Sequence, residues 1–320
     1  MFAMKHRHYS RHASLFLSGF VFALCAGITG CSSEQSSRPD HEKTSTLDGK
    51  GVNVYAAGDI ADCRKTAPEK SGAAKTAALI TARLVNDKDA IVLNLGDSTY
   101  PIGEPREFTD CYEPTWGQFK SHTYPAPGNH EYNVPKAMGY YDYFGIGAGP
   151  DRRGYYSFNV GSWHVLSINS NLKLEEHQAQ LAWLKTDLER SKARCTLAYW
   201  HHPRYSSGGH GNNEHMADVW NALMAAHADV VLSGHDHDYE RFAPQDENAS
   251  RDDKRGIRQF VVGTGGAYLT SFRFQKPNSE ASDNSTSGVL KLTLKDSGYE
   301  WEFLAVEGAQ FTDRGAALCH

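Results

Sequence analysis

Short apolar runs recur along this chain, and five of them are followed closely by Gly-Asp, Gly-Asn-His, His-His or Gly-His. Residues 52–57 read as a first strand that ends in Gly58-Asp59. Residues 69–86 are Ala-rich with apolar positions at helical spacing, and 90–95 form a run broken only by Asn94. That run has the pattern of a strand covered on both faces, and it ends in Gly96-Asp97 with Tyr100 three residues on. Strand, helix and strand make a parallel, right-handed unit, which places Asp59 and Asp97 at one sheet edge. Ligands of open α/β sheets bind beyond that edge. Residues 124–133 read as a Pro/Gly-rich loop carrying Gly128-Asn129-His130-Glu131. Residues 155–160 and 163–168 alternate around Gly161 as a hairpin, and 174–191 present Leu181, Leu184 and Leu188 on one helical face. A strand over 195–200 leads into His201-His202-Pro203. After a helix over 213–227, a strand over 228–232 leads into Ser233-Gly234-His235-Asp236-His237. Residues 246–255 read as a polar surface loop. Strands over 257–262 and 289–294 flank a Ser/Asn-rich loop, and 299–306 is expected to finish the sheet.

The first fifty residues follow another pattern. Lys5, Arg7 and Arg11 precede a mostly apolar stretch, 13–28, that is short for a membrane-spanning helix. It ends in Ile28-Thr29-Gly30-Cys31. Basic, apolar and small-residue regions in that order predict a signal peptide over 1–30. The cysteine after the small residues resembles a lipobox, which makes Cys31 an expected lipidated N-terminus and the only expected link to a membrane. Residues 31–50 read as a disordered tether, leaving 51–320 as one catalytic domain. Cleavage removes three cations and no acid, taking the formal net charge from −5 to −8; that argues against a nucleic-acid partner. Export also sets the reading of Cys63, Cys111, Cys195 and Cys319, for which two disulfides are expected over a thiolate metal site. Three pairings are open. Cys63–Cys111 is preferred because both follow the first two site loops, leaving Cys195–Cys319 to tie the tail to a strand.

The strand ends deliver Asp59, Asp97 with Tyr100, Asn129 with His130, His201 with His202, and His235 with His237. Positions i and i+2 of an extended segment point the same way, so His235 and His237 are expected to reach one centre. Oxygen donors mixed with imidazoles suit Fe, Mn or Zn. Such a set is too large for one tetrahedral zinc and suits two metals sharing a carboxylate. Singly, each residue is unremarkable, since Gly-Asp after a strand is usually a turn. Their joint occurrence at successive strand ends is what carries the argument.

The motifs Gly58-Asp59, Gly96-Asp97-x-x-Tyr100, Gly128-Asn129-His130-Glu131, His201-x-Pro203-x-Tyr205 and Gly234-His235-x-His237 resemble those of the calcineurin-like metallophosphoesterases. Within that superfamily the chain is most similar to the purple acid phosphatases, over about 52–306. The resemblance implies an α/β fold, a four-layer α/β/β/α sandwich with a dinuclear centre at the strand C-terminal ends. It implies that Asp97 bridges two metals, with Asp59, Tyr100 and His237 completing the first site and Asn129, His201 and His235 the second. Fe(III) is expected beside the Tyr100 phenolate, and divalent Fe, Zn or Mn at the other position. His130 would contact the phosphate or protonate the leaving group. His210 stands where some relatives place a phosphate-contacting histidine, and for both His210 and His202 a place near the substrate and one on the surface stay open. Ala61 replaces a residue that is a ligating histidine in many relatives and usually glycine in the purple group. Glu240 and Arg241 are expected to be structural. The length leaves no room for the fibronectin-like domain of the large plant forms.

The expected activity is hydrolysis of small phosphate monoesters by a metal-bound hydroxide, outside the cell or in its envelope. Rivals are a phosphodiesterase or nucleotidase at the same centre, and a tethered binding protein without turnover. Specificity is expected in loops 135–154 and 273–288.

Overall fold

The computed structural model describes Leu47 and residues 50–320. The expected signal peptide, lipidated Cys31 and most of the tether lie outside the described residues. No helix among the described residues is long and apolar enough to cross a membrane.

In chain order the strands are β1 (Val52–Ala57), β2 (Ile91–Asn94), β3 (Thr123–Pro125), β4 (Tyr156–Val160), β5 (Trp163–Ser167), β6 (Cys195–Tyr199), β7 (Val230–Ser233), β8 (Tyr239–Phe242), β9 (Arg258–Val262), β10 (Ser279–Asp283), β11 (Gly288–Lys295), β12 (Gly298–Ala305) and β13 (Arg314–Leu318). The main helices are α1 (Gly72–Leu84), α2 (Met138–Phe144), α3 (Leu174–Arg190) and α4 (Ala217–Ala225). One sheet runs β13-β12-β11-β1-β2-β3 and the other β10-β8-β9-β7-β6-β5-β4. Pairing is parallel at β1–β2–β3 and at β5–β6–β7–β9, so the C-terminal ends of the central strands gather on one rim.

The layering follows from period-two alternation. Leu197 and Tyr199 of β6, Val230 and Leu232 of β7, and Phe260 and Val262 of β9 belong to the core shared with β1, β2 and β11. Their neighbours Ala198, Val231 and Val261 face the opposite way, into a second core with Leu181 and Leu184 of α3 and Val219, Trp220 and Leu223 of α4. On the far side, Ala73, Ala77 and Ile80 pack α1 against the first sheet. Helix, sheet, sheet and helix form the expected four-layer α/β/β/α sandwich. Both preferred disulfides are present, Cys63–Cys111 and Cys195–Cys319.

Four strands depart from the sequence reading. Residues 123–125, inside an expected Pro/Gly loop, form β3 because Asn94 and Val92 offer a parallel edge. The polar β8 and β10 pair with each other at the margin of the second sheet. The first sheet does not finish at β12, since β13 adds an edge against it. Glu240 and Arg241 of β8 are structural, as expected. Glu240 accepts from the Ser207 amide at 2.8 Å. The Arg241 guanidinium donates twice to Asp313, at 2.8 and 3.1 Å, and lies over the Trp301 ring.

Candidate metal centre

The residues after β1, β2, β3, β6 and β7 meet on the rim. Three take left-handed backbone conformations unusual outside glycine: Asp59 (φ 60°), Asp97 (φ 50°) and His235 (φ 73°). Such conformations cost on the order of 1–3 kcal/mol each and persist only where the surroundings enforce them. The enforcement is visible here. The Asp59 and Ile60 amides donate to the Gly96 and Asp97 carbonyls, both at 3.0 Å. Gly96 (φ +93°) lies so close to its neighbours that a Cβ would fall 2.8 Å from the His201 Cβ. Only glycine allows the β2 and β6 loops this approach.

The side chains form two groups that share one atom. The Tyr100 hydroxyl lies 2.9 Å from Asp59 Oδ1, 3.2 Å from Asp97 Oδ2 and 3.0 Å from His237 Nε2. On the other side, His201 Nε2 lies 3.0 Å from Asn129 Oδ1, 3.2 Å from His235 Nδ1 and 3.3 Å from the same Asp97 Oδ2. His235 and His237 therefore go to opposite groups. The extended i, i+2 geometry expected from sequence does not hold, because His235 is left-handed and turns its ring away from that of His237.

The donor set fits cations. A phenol has one proton, yet three acceptor atoms crowd the Tyr100 oxygen. His201 Nδ1 lies 3.0 Å from the Leu95 carbonyl, and His237 Nδ1 lies 2.5 Å from that of Tyr268. A carbonyl only accepts, so each Nδ1 carries a proton and each Nε2 is the atom turned inward, the arrangement used to orient metal ligands. The electrostatics agree. Burial opposes ionisation of Asp97, but the His201 and His130 imidazoles hold its carboxyl below the usual range. Burial also works against charge on His201, which Asp97 nonetheless pushes up to about 9, so without a cation its Nε2 takes a proton that a metal would displace. Burial, then Asp59 and Asp97, raise the Tyr100 phenol well above its ordinary value. Only a nearby cation would make that phenol a phenolate.

The three remaining candidates lie beside these groups. The His130 ring is 4.4 Å from that of Tyr100, its Nδ1 lies 2.5 Å from the Pro101 carbonyl, and its Nε2 lies 3.8 Å from Asp97 Oδ2. The His202 ring is 4.4 Å from that of His235, with its Nδ1 2.8 Å from the Ser170 hydroxyl. Burial and the charge of His201 push His202 down to about 3, which keeps it neutral. His210 is exposed, with its ring 4.2 Å from that of His235.

Sequence reasoning missed several supports. Glu131, fully buried, accepts from the amides of Gly128 (2.7 Å), Asp97 (3.0 Å) and Ser98 (2.7 Å). Burial and the charge of Asp97 push its carboxyl up to about 8, against the pull of those amides. Asp236 accepts from the His210 amide at 2.8 Å and the Ser206 hydroxyl at 2.5 Å. Tyr268, largely exposed, sets its ring 4.8 Å from that of His237. Glu131 sat inside a quoted motif, and that position was its only signal.

A two-sheet sandwich with carboxylates, a phenol and imidazoles converging on its strand ends has the architecture of a metallophosphoesterase. The chain belongs to the calcineurin-like phosphoesterase family, whose model matches residues 52–239. It is 34% identical over 151 residues to purple acid phosphatase 21 of Arabidopsis thaliana, a match covering 44% of this chain and 34% of that one. Purple acid phosphatase 22 of the same plant is 27% identical over 253 residues, covering 69% and 55%. Among solved structures, purple acid phosphatase PPD1 from yellow lupin (Lupinus luteus) superposes with a TM-score of 0.67 at 20% identity, covering 85% of this chain and 54% of that one. The match thus spans a third to just over half of these relatives' length.

Proposed function

We propose that this chain hydrolyses phosphate monoesters at a centre holding two metal ions. The observation that carries the reading is Asp97 Oδ2, which lies within 3.3 Å of donor atoms of both groups. In this reading Asp59, Tyr100 and His237 hold one ion, Asn129, His201 and His235 hold the other, and Asp97 touches both. Phenolate ligation by Tyr100 favours Fe(III) at the first position, with divalent Fe, Zn or Mn at the second. Bound there, the two cations supply positive charge against the phosphoryl oxygens and a water of lowered pKa.

The chain's own residues supply the rest. In the hydrolysis, the water oxygen bonds to phosphorus, the ester P–O bond breaks and the leaving oxygen takes a proton. His130, when doubly protonated, is suited to give that proton, since the Pro101 carbonyl holds its Nδ1–H and its Nε2 lies 3.8 Å from Asp97 Oδ2, toward the centre. Exposed His210 is a second donor for the phosphoryl oxygens. Neutral His202 supports the His201 and His235 rings.

Residues 51–320 act in this reading as the catalytic domain, exported behind the 1–30 leader, tethered by 31–50 and anchored through Cys31. The two disulfides suit an oxidising compartment. Its partners are then small phosphate esters.

The test is phosphate release by metal-loaded protein from an aryl monophosphate beside a bis-aryl phosphate, with Asp97→Ala as control. Faster monoester turnover, lost with both metals in Asp97→Ala, is the expected result. Preference for the diester would move the assignment to a phosphodiesterase. One observation favours a silent binding protein: other relatives carry the name probable inactive purple acid phosphatase, among them number 9 of Arabidopsis thaliana. Metal-loaded protein without turnover on either ester would establish that reading.

A further inference from the structure

A groove of about 760 Å³ lies between the segment after His130 and helix α3. Its walls include Tyr132, Tyr141 and Tyr155, together with Lys136, Arg152 and Arg153. We propose that this groove is the leaving-group subsite of the centre, selecting phosphate esters whose alcohol carries a planar ring and a second anionic group. The proposal rests on the phosphatase reading and adds its substrate class.

Position is the first argument. Tyr132 follows His130 by two residues, which separates them by at most about 7 Å of chain. On the opposite wall, Leu172 follows Ser170 by two residues, and Ser170 Oγ lies 2.8 Å from His202 Nδ1. The groove therefore flanks the centre on the side of His130, where the leaving group departs.

Construction is the second argument. The tyrosine wall is fixed: Asn169 Nδ2 donates to the Tyr132 hydroxyl at 2.7 Å and to the Arg153 carbonyl at 3.0 Å, and the Tyr132 and Tyr141 hydroxyls lie 3.2 Å apart. Arg153 stands 5.2 Å over the Tyr155 ring, so a cation–aromatic pair already exists where a flat ring could join it. Of the eleven non-glycine positive-φ residues among the described residues, four are in this segment, as two adjacent pairs: Lys136-Ala137 and Asp151-Arg152. Three more, Asp59, Asp97 and His235, hold the centre itself. Backbone of this kind gathers at ligand clamps.

Charge is the third. Arg152 is paired with Asp142 at 2.6 Å, and Arg153 is only loosely paired with Asp151 at 3.7 Å. Lys136 has no ion pair among the described residues. Asp151 and Glu176 also line the groove, so its rim carries one net positive charge on a chain whose formal net charge is −5. That local sign attracts a second anion.

The test compares adenosine 3′,5′-bisphosphate, which has ring and second phosphate, with glycerol 2-phosphate, which has neither, using the metal-loaded full chain. The double variant Lys136→Glu/Arg153→Glu should raise KM for the bisphosphate about tenfold and leave kcat/KM for glycerol 2-phosphate within about twofold. Ala179→Trp, which fills the groove from α3 without changing charge, should give the same pattern. Parallel loss on both substrates, or an unchanged KM for the bisphosphate, would overturn the proposal. Should the wild-type chain bind metal yet hydrolyse neither ester, the phosphatase reading fails, and calorimetric binding of the bisphosphate decides for the groove alone. Weaker binding in the double variant then supports the groove, and equal binding overturns it.

Discussion

Removing the Glu131 carboxyl should destabilise the fold while leaving every expected metal ligand in place. Its Oε2 accepts from the Gly128 and Asp97 amides, and its Oε1 from the Ser98 amide. It thereby ties the loop after β3 to the one after β2. In Glu131→Ala three buried amides lose their acceptor, each worth about 1–3 kcal/mol when unsatisfied. Water entering the vacated space relieves part of this, so the lower end applies, about 3 kcal/mol in total. Glu131→Gln keeps the shape but replaces one oxygen by an NH₂ that faces an amide donor, leaving at least one donor unpaired, about 1–2 kcal/mol. Urea unfolding of the metal-free proteins gives both values, and metal analysis reads the displacement of Asp97. The expected order is wild type, Gln, Ala, with metal content falling in step. If Glu131→Ala unfolds within about 0.5 kcal/mol of wild type and keeps its metals, the cage does not position Asp97.

Gly96→Ala forces a Cβ to 2.8 Å from His201 at φ +93° and should cost about 2 kcal/mol in urea unfolding together with metal affinity; unchanged stability would show the loops are slack. Opening Cys195–Cys319, which closes a 124-residue separation, should cost about 5 kcal/mol on the chain-entropy account, read as a lower urea midpoint for the paired Cys→Ala variant than for the oxidised chain. The Asp187 carboxyl, 2.6 Å from His164 Nε2, is resisted by burial yet held below its ordinary value by His164 and Ser157. Because its folded pKa is depressed, the contribution is complete above about pH 4, the unfolded value, and is lost as pH falls below it. Between pH 6 and pH 3 the wild type should therefore lose more stability than Asp187→Asn, and parallel losses would contradict the assignment.

The centre was legible because its residues sit where apolar runs stop. A buried strand must be apolar, so the Gly-Asp after 52–57 and after 90–95 stands out against it. What stayed hidden depends on tertiary context. Strand β3 has three residues and ends in proline, and it forms only because β2 provides an edge. The polar residues of β8 and β10 find partners distant in sequence, Arg241 with Asp313 and Glu240 with Ser207 in β8, and Glu280 with Arg258 in β10. The left-handed turn at His235 has no marker in a Gly-His-Asp-His string, so the i, i+2 argument brought both histidines to the rim without showing that their rings part to opposite groups. Glu131 looked like any acid after a histidine until the amides around it were visible.

In the proposed centre Tyr100 and its neighbours hold two metals, one of them iron bound by the phenolate. Metal analysis and the visible spectrum of the chain from Ser32 onward test it together, with Tyr100→Phe alongside. About one iron and one further divalent metal per chain are expected. A tyrosinate-to-iron absorption band that Tyr100→Phe abolishes is expected with them. Two metals without such a band would contradict the iron assignment, and no metal after reconstitution would contradict the centre itself.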